Sequence, residues 1–339
     1  MNKMKKYTVI FYSLFLVFFF SCEKTVKLKK EKSKNQKQIH KCDKKDLILR
    51  SELNLFQPES QNLDSVLIKL NQDYAYFFKD QLVDSFKEIA VDENYNIIFD
   101  SVFVQFKDID SLSNLINNGF CVLENYFPLS KPRVVTMIQD DVVDTFEPPF
   151  NPIAYDYEEN LILIQLQWFL GENHVFYTDR TQPIPEYLTE RYNQIYIPSM
   201  IFHALGSYYC NTNNTNSKLL TTMLNKAKPY FFTELMLPEF NDSLIFGSTQ
   251  GDIDFFNENA EVFWKYILEN QFLFSSESVL QQNFISPAKT TQLGTPGRFG
   301  VWIGWQILRS YFNNNDVTMQ DVLKETNYLE ILNNSNYKP

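Results

Sequence analysis

Residues 201–209 are the first candidate for a catalytic or metal-binding segment. His203 lies on a predicted helix that follows a small predicted sheet, where a zinc metallopeptidase would carry H-E-x-x-H, with two histidine ligands and a glutamate base. Here Ala204 stands at the position of the base and Ser207 at that of the second ligand. We therefore interpret His203 as a degenerate metal-helix position, and we expect a hydrogen-bonded core histidine, no catalytic residue, no metal and no cofactor.

Other catalytic arrangements are also poorly supported. A zinc site built from His203, His174 and an acid such as Glu186 is an alternative, and it would make the chain an envelope hydrolase with a non-standard active site. Cys210 lies two helical turns from His203, too far for a thiol–imidazole pair. The sequence has no G-x-S-x-G, Walker A or G-x-G-x-x-G motif. The sequence has many carboxylates, so a glycosidase-like pair of acids is possible. The sequence does not identify which two acids would form it.

A glycine-dense segment near the carboxyl end is the second candidate. Four of the nine glycines fall within residues 294–304. An interior helical glycine costs roughly 1 kcal/mol relative to alanine, so we expect the backbone here to come close to a neighbour. The same segment carries two arginines and two tryptophans at spacings of 4, 3 and 4, which places them along one side of a helix. We call Arg298, Trp302, Trp305 and Arg309 the Arg–Trp stripe. It is either part of a core helix whose arginines pair with internal carboxylates, or a surface for a partner or ligand.

The first 22 residues have the pattern of a secreted lipoprotein. Three lysines precede an apolar run over residues 7–20, which is typical of a signal peptide over residues 1–21. A helix of about 14 residues covers roughly 21 Å, less than the roughly 30 Å of a bilayer core, so a permanent span is not expected. The sequence Phe20-Ser21-Cys22 resembles the relaxed lipobox of Bacteroidetes lipoproteins, which implies palmitate on Cys22 and a membrane-anchored body. The segment past Glu23 lacks the acidic cluster associated with surface export in such bacteria, so we expect the body to face the periplasm. An ordinary leader with an incidental cysteine is the alternative.

Charge separates the next segment from the rest of the chain. Residues 23–46 hold ten lysines, four acids and no aromatic residue, so we interpret 22–46 as a lipidated cysteine and a basic disordered tether. Subtracting +3 for the leader and +6 for the tether from the net charge of −10 leaves −19 for residues 47–339. We expect membrane attachment through the acyl chains and the tether, or a tether that is only a solvated spacer. The acidic body argues against nucleic acid as a partner.

The elements predicted around these candidates give an α+β fold. Apolar periodicity predicts helices over 63–78, 112–120, 185–193, 198–211, 217–236, 252–272 and 297–314, and strands over 133–143, 153–157 and 161–166. We expect one domain from 47 to 339, with a small antiparallel sheet followed by a mainly helical half, because the strand connections are too short for crossover helices. Pro229 predicts a kink or break. With Cys22 acylated, at most one disulfide can form, and Cys42 is the cysteine least expected to be structural.

Several motifs resemble the GldB family of gliding-motility lipoproteins. They are Phe150-Asn151-Pro152, Asn160-Leu161-Ile162-Leu163, Trp168-Phe169-Leu170-Gly171, Pro185-Glu186-Tyr187-Leu188, Arg191-Tyr192, residues 296–306, Arg309-Ser310-Tyr311 and residues 334–339. The resemblance implies a zincin-like layout without the metal motif and no catalytic residues to carry over. It also implies a lipid-anchored, non-enzymatic scaffold or interaction component that supports gliding, with protein components of the gliding machinery or envelope as partners.

Overall fold

A computed structural model describes residues 26–42, 50–51, 65, 68, 93–128, 132–138, 151–179, 183–210 and 218–339. The predicted signal peptide, Cys22 and nearly all of the predicted helix 63–78 lie outside the described residues. The chain divides into two compact units. One domain from 47 to 339 stays a prediction. The first unit comprises Met1–Cys42, Leu205–Phe246 and Gln250–Pro339, and the second comprises Asp43–Ala204 and Gly247–Thr249.

The described residues are mainly helical, with a small sheet. The helices are α1 Val26–Ile39, α2 Glu93–Gln105, α3 Ile109–Tyr126, α4 Val175–Thr178, α5 Glu186–Thr189, α6 Ile197–Tyr209, α7 Leu219–Met236, α8 Asp242–Phe246, α9 Gln250–Glu269, α10 Ser278–Phe284, α11 Phe299–Asn314, α12 Met319–Lys324 and α13 Tyr328–Ser335. Short 3₁₀ helices cover Leu166–Trp168, Gln194–Tyr196 and Phe272–Phe274. The strands are β1 Arg50–Ser51, β2 Arg133–Met137, β3 Ile153–Asp156 and β4 Leu161–Gln165. The predicted α+β class is confirmed.

The sheet of the second unit is mixed, in the order β1-β2-β4-β3. Strands β3 and β4 are antiparallel, as expected, but β2 pairs in parallel with both β1 and β4, so the prediction of an antiparallel sheet is wrong for these two pairs. The physical reason is that α2 and α3 lie between β1 and β2 in the chain, and β3 lies between β2 and β4. Each connection is therefore long enough to return the chain in the same direction. The zincin-like layout is not confirmed.

The segment predicted to be a disordered tether contains helix α1, so that prediction is wrong over Val26–Ile39. Leu28, Asn35 and Ile39 share one face of this helix and are buried in the first unit. The Asn35 side chain donates a hydrogen bond to the Leu235 carbonyl oxygen at 2.9 Å. The prediction rested on the lysine-rich composition of the segment. Three residues on one face of the helix, two of them apolar, are enough to pack it against the first unit.

The cysteines also differ from expectation. Cys42 and Cys121 are both disulfide-bonded, whereas Cys42 was expected to be the least structural cysteine. Cys210 is free and buried. Burial raises the pKa of the Cys210 thiol to about 12, although nearby Lys228 opposes this shift. Cys210 is therefore a neutral thiol at physiological pH.

Helices α7 and α11 form the principal packing of the first unit, and glycines bring their backbones together. A Cβ atom at Gly304 would lie 2.6 Å from the Met223 carbonyl oxygen of α7, closer than real Cβ atoms approach. A Cβ atom at Gly300 would lie 2.8 Å from the Phe284 carbonyl oxygen of α10. The expected close approach of the α11 backbone to its neighbours is therefore present. Helix α7 runs through Pro229, so of the predicted kink or break only the break is wrong.

Candidate functional site

Helix α11 begins after Arg298, whose backbone is in the left-handed region with φ of 65°. The Arg298 Nη1 donates hydrogen bonds to the Tyr230 hydroxyl at 3.1 Å and to the Phe246 carbonyl oxygen at 2.8 Å. The guanidinium carbon lies 4.4 Å from the centre of the Phe246 ring, within cation–π range. Arg298 is 7% exposed, and it links α7, α8 and α11 inside the first unit.

Arg309 lies about three turns further along α11 and binds two carboxylates. Its Nε and Nη2 donate to Glu234 Oε2 and Oε1, both at 2.8 Å. Its Nη1 and Nη2 donate to Asp242 Oδ2 at 2.9 Å and Oδ1 at 2.6 Å. Nη1 also donates to Gln306 Oε1 at 3.2 Å. Because arginine has five N–H donors, these five bonds occupy the whole guanidinium. We call Arg309, Glu234, Asp242 and Trp305 the arginine network.

Glu234 is the central acceptor of the arginine network. Besides Arg309, its carboxylate accepts a hydrogen bond from Trp305 Nε1 at 3.0 Å. Lys32 of α1 places its Nζ 3.4 Å from Glu234 Oε1. The Arg309 guanidinium carbon lies 3.9 Å from the centre of the Trp305 ring. A buried carboxylate needs several such partners, because an unpaired charge removed from water is strongly destabilising.

The arginine network extends from the core toward solvent. The exposed fraction of the side chain is 3% for Glu234, 16% for Arg309 and 33% for Asp242. Burial alone would lower the pKa of Arg309, but the carboxylates of Glu234 and Asp242 outweigh it and raise that pKa above its ordinary value. The guanidinium is therefore permanently charged, with all of its donors occupied.

This arrangement suits packing better than acid–base chemistry. Neither carboxylate is available as a general acid or base, since Arg309 holds both in short charge-assisted hydrogen bonds. Trp302 and Trp305 are buried, and the Phe246 ring stacks on Trp305 at 5.9 Å and meets Trp302 edge-on at 5.6 Å. Within the first unit, Arg309 thus binds two internal carboxylates, whereas Arg298 binds a tyrosine hydroxyl and a backbone carbonyl oxygen.

Sequence reasoning missed Lys228, which is fully buried on α7. Its Nζ donates to the carbonyl oxygens of Leu323 at 3.0 Å and Glu325 at 2.6 Å, where α12 ends. Burial lowers the pKa of Lys228 to about 8, although Cys210 and Glu325 oppose this shift. The one sequence signal was a lysine within the apolar part of α7. The partner carboxylates Glu234 and Asp242 carried no local signal, because pairing across the fold leaves no periodicity.

The residues considered for zinc all belong to the second unit. His203 is half-buried on α6. His174 precedes α4, and its Nδ1 accepts a hydrogen bond from the Phe176 backbone N–H at 3.2 Å; partial burial lowers the pKa of this histidine. Glu186 lies in the first turn of α5. Among the residues that the structure describes, no three His, Cys, Asp or Glu side chains form a group that could hold a metal ion.

Two of the motifs that carry the family resemblance meet in the core of the second unit. The rings of Trp168 and Tyr192 lie 5.3 Å apart, and Tyr177 packs against both. The Tyr177 hydroxyl donates to the Gln167 carbonyl oxygen and accepts from the Leu170 backbone N–H, both at 3.0 Å. Burial raises the pKa of Tyr177. These motif residues therefore stabilise the fold rather than present a reactive group.

Comparison with known proteins identifies the family. In the described part of the chain, no helix is both long and apolar enough to cross a membrane. No curated protein and no solved structure matches the chain. The family model described as gliding motility protein GldB matches residues 32–339, which include most of α1, the arginine network and the aromatic core of the second unit. The chain therefore belongs to the GldB family of gliding motility proteins.

Proposed function

We propose that this chain is a lipid-anchored cell-envelope protein that supports gliding motility as a non-enzymatic scaffold or interaction component. The observation that carries the proposal is the family match over residues 32–339. Its partners are protein components of the gliding machinery or envelope. The charge of −19 on residues 47–339 argues against nucleic acid as a partner.

The anchor is Cys22, acylated after removal of a signal peptide over residues 1–21. The basic, apolar and Phe-Ser-Cys pattern of these residues supports this assignment. The body faces the periplasm. Disulfide-bonded Cys42 and Cys121 support that location, because disulfides persist in the bacterial periplasm and are rare in the cytosol.

The chemistry of the buried side chains supports the scaffold role. The guanidinium of Arg309 has every donor occupied, and both of its carboxylate partners are held by it. Ala204 and Ser207 replace the base and second ligand of the metallopeptidase motif around His203. These residues can organise a core.

The anchor is tested in a strain whose own copy of the gene is deleted. Complementation with Cys22→Ala should abolish palmitate incorporation, release the body from membranes and abolish colony spreading. The matched control is Cys210→Ala, which should keep the label and the spreading. Unchanged lipid labelling of Cys22→Ala would contradict the anchor, and normal spreading of an unlabelled, released body would contradict the function.

The hydrolase alternative has its own test. Elemental analysis of protein purified without chelator should find no stoichiometric zinc, and His203→Ala should spread as the wild type does. About one zinc per chain, together with loss of spreading in His203→Ala at normal protein level, would overturn the scaffold proposal in favour of a metal-dependent enzyme.

A further inference from the structure

Helix α1 has two opposite faces. The inner face, formed by Leu28, Asn35 and Ile39, is buried in the first unit. The outer face carries Lys30, Lys34 and Lys37, at spacings of 4 and 3, and all three are exposed. At about 100° per residue these lysines project from the side of the helix away from the buried face. We call Lys30, Lys34 and Lys37 the lysine face.

The inner side of α1 is held at several points, so the lysine face has a fixed direction on the first unit. Lys27 Nζ donates to the carbonyl oxygens of Asn315 at 2.6 Å and Val317 at 2.7 Å, just after α11. The Leu28 backbone N–H donates to Asn313 Oδ1 at 2.9 Å. Lys32 reaches Glu234 of the arginine network. Rotation of α1 would break these contacts together.

The lysine face is exposed, although Lys34 forms a local ion pair. Lys34 lies 2.9 Å from Glu31, one turn earlier on the helix, and the exposed fraction of its side chain is 69%. Pairs this exposed are weak and readily exchanged for other anions. Lys30 and Lys37 flank Lys34 on the same side, which gives a compact area of three positive charges.

The chain between Cys22 and α1 is very short. An extended chain covers at most about 3.6 Å per residue, so the Cα atoms of Cys22 and Val26 are at most about 14 Å apart. Acylation of Cys22, which is part of the proposed function, would therefore bring the start of α1 close to the headgroups. A flexible stalk of 24 residues would have allowed the body to drift much further away.

We propose that the lysine face binds anionic phospholipid headgroups and holds the first unit directly against the bilayer in one orientation. Charge complementarity supports this occupant, since clustered lysines on a helix are attracted to anionic lipid surfaces. The rest of the body supplies the contrast. Residues 47–339 carry −19, so an anionic membrane repels most of the molecule and attracts the side that carries α1.

The direct test is amine acetylation of the mature acylated protein followed by mass spectrometry. In vesicles of phosphatidylethanolamine and phosphatidylglycerol, acetylation of Lys30, Lys34 and Lys37 should fall several-fold relative to phosphatidylcholine vesicles. High ionic strength should restore it. Exposed lysines elsewhere in the first unit, Lys226, Lys265 and Lys338, should react equally in both vesicles. Equal acetylation of the lysine face in both would overturn the proposal.

A second test separates this surface from the acyl anchor. The mature chain with Cys22→Ser should sediment with the anionic vesicles, and Lys30→Gln, Lys34→Gln and Lys37→Gln together should lower its partition coefficient by roughly a hundredfold, at about fivefold for each lysine. The matched control is the triple glutamine variant of Lys226, Lys265 and Lys338, which should bind like the parent. Equal binding of both triple variants, or no binding by the parent, would refute the lysine face. Neither result would change what the colony-spreading assay of the Cys22→Ala variant shows, so the proposed function is tested separately.

Discussion

At the scale of single residues, Arg309 and Glu234 can be buried together because each supplies the opposite charge and the hydrogen-bond partners that the other needs. Glu234 accepts from Arg309, Trp305 and Lys32, and Arg309 has no donor left over. Such a pair is costly to bury and more costly to break, because removal of one member leaves the other charge without its partner. Internal carboxylates thus account for the burial of Arg309, whereas Arg298 is held by the Tyr230 hydroxyl and the Phe246 carbonyl oxygen.

Replacing Arg309 by alanine should therefore lower the free energy of unfolding by about 3 to 5 kcal/mol, since Glu234 would remain buried without its main cation. Urea denaturation at neutral pH measures this. The control is Lys265→Ala, which removes an exposed pair with Glu269 whose side chains are 72% and 65% exposed, and should change little. Equal, small effects of both substitutions would contradict the role of the arginine network.

Lys228 should give stability an unusual dependence on pH. The pKa of Lys228 is about 8 in the folded protein, and the ordinary lysine value of 10.5 applies to the unfolded chain. Between pH 8 and 10.5 the unfolded chain therefore binds more protons than the folded protein. The free energy of unfolding should therefore rise with pH from about 8 to 10.5 relative to a Lys228→Met variant, by on the order of 3 kcal/mol. Below pH 8 the difference should be flat. A flat difference through the whole range would show that Lys228 has an ordinary pKa.

At the scale of elements, the glycines of α11 set how closely the helices pack. Gly304 faces the Met223 carbonyl oxygen of α7, so any side chain must displace the backbone of a neighbouring helix. An overpacked core of this kind can relax only through strained side-chain rotamers or backbone shifts, and both are destabilising. The glycine-dense sequence is thus a requirement of the α7–α11 interface.

The substitution Gly304→Leu should lower the free energy of unfolding by about 3 kcal/mol, near the upper end for overpacked cores. The urea midpoint should fall, and the protein should be depleted from cells. Gly251→Ala is the control, because Gly251 is exposed in the first turn of α9. A Gly304→Leu protein with an unchanged midpoint would refute the close approach of α7 and α11.

The elements also show what sequence can and cannot predict here. Helices α6, α7, α9 and α11 were predicted within three residues at each end, because their apolar periodicity is local. The parallel pairing of β2 with β4 was missed because it depends on where β3 attaches. Helix α1 was missed because its docking depends on carbonyl oxygens and Glu234 from distant parts of the chain. Glu234 and Asp242 were unpredictable for the same reason.

At the scale of the whole molecule, the disulfide-bonded cysteines connect the fold to its compartment. Besides Cys22 the chain has three cysteines, of which Cys42 and Cys121 are disulfide-bonded and Cys210 is free. Thiol titration of the denatured acylated protein should therefore find about one thiol before reduction and three after it. Protein prepared under reducing conditions serves as the control. Three thiols before reduction would contradict the disulfide and remove one support for a periplasmic body.

The central claim is that the Arg–Trp stripe serves motility by holding the first unit together and not by touching a partner. The most direct measurement is colony spreading alongside immunoblot level for Arg298→Ala and Arg309→Ala, with Lys265→Ala as control. The account predicts that spreading falls in step with the amount of protein, and that the control keeps both. Normal protein level with no spreading in either arginine variant would contradict it, because the arginine would then act on something outside the fold.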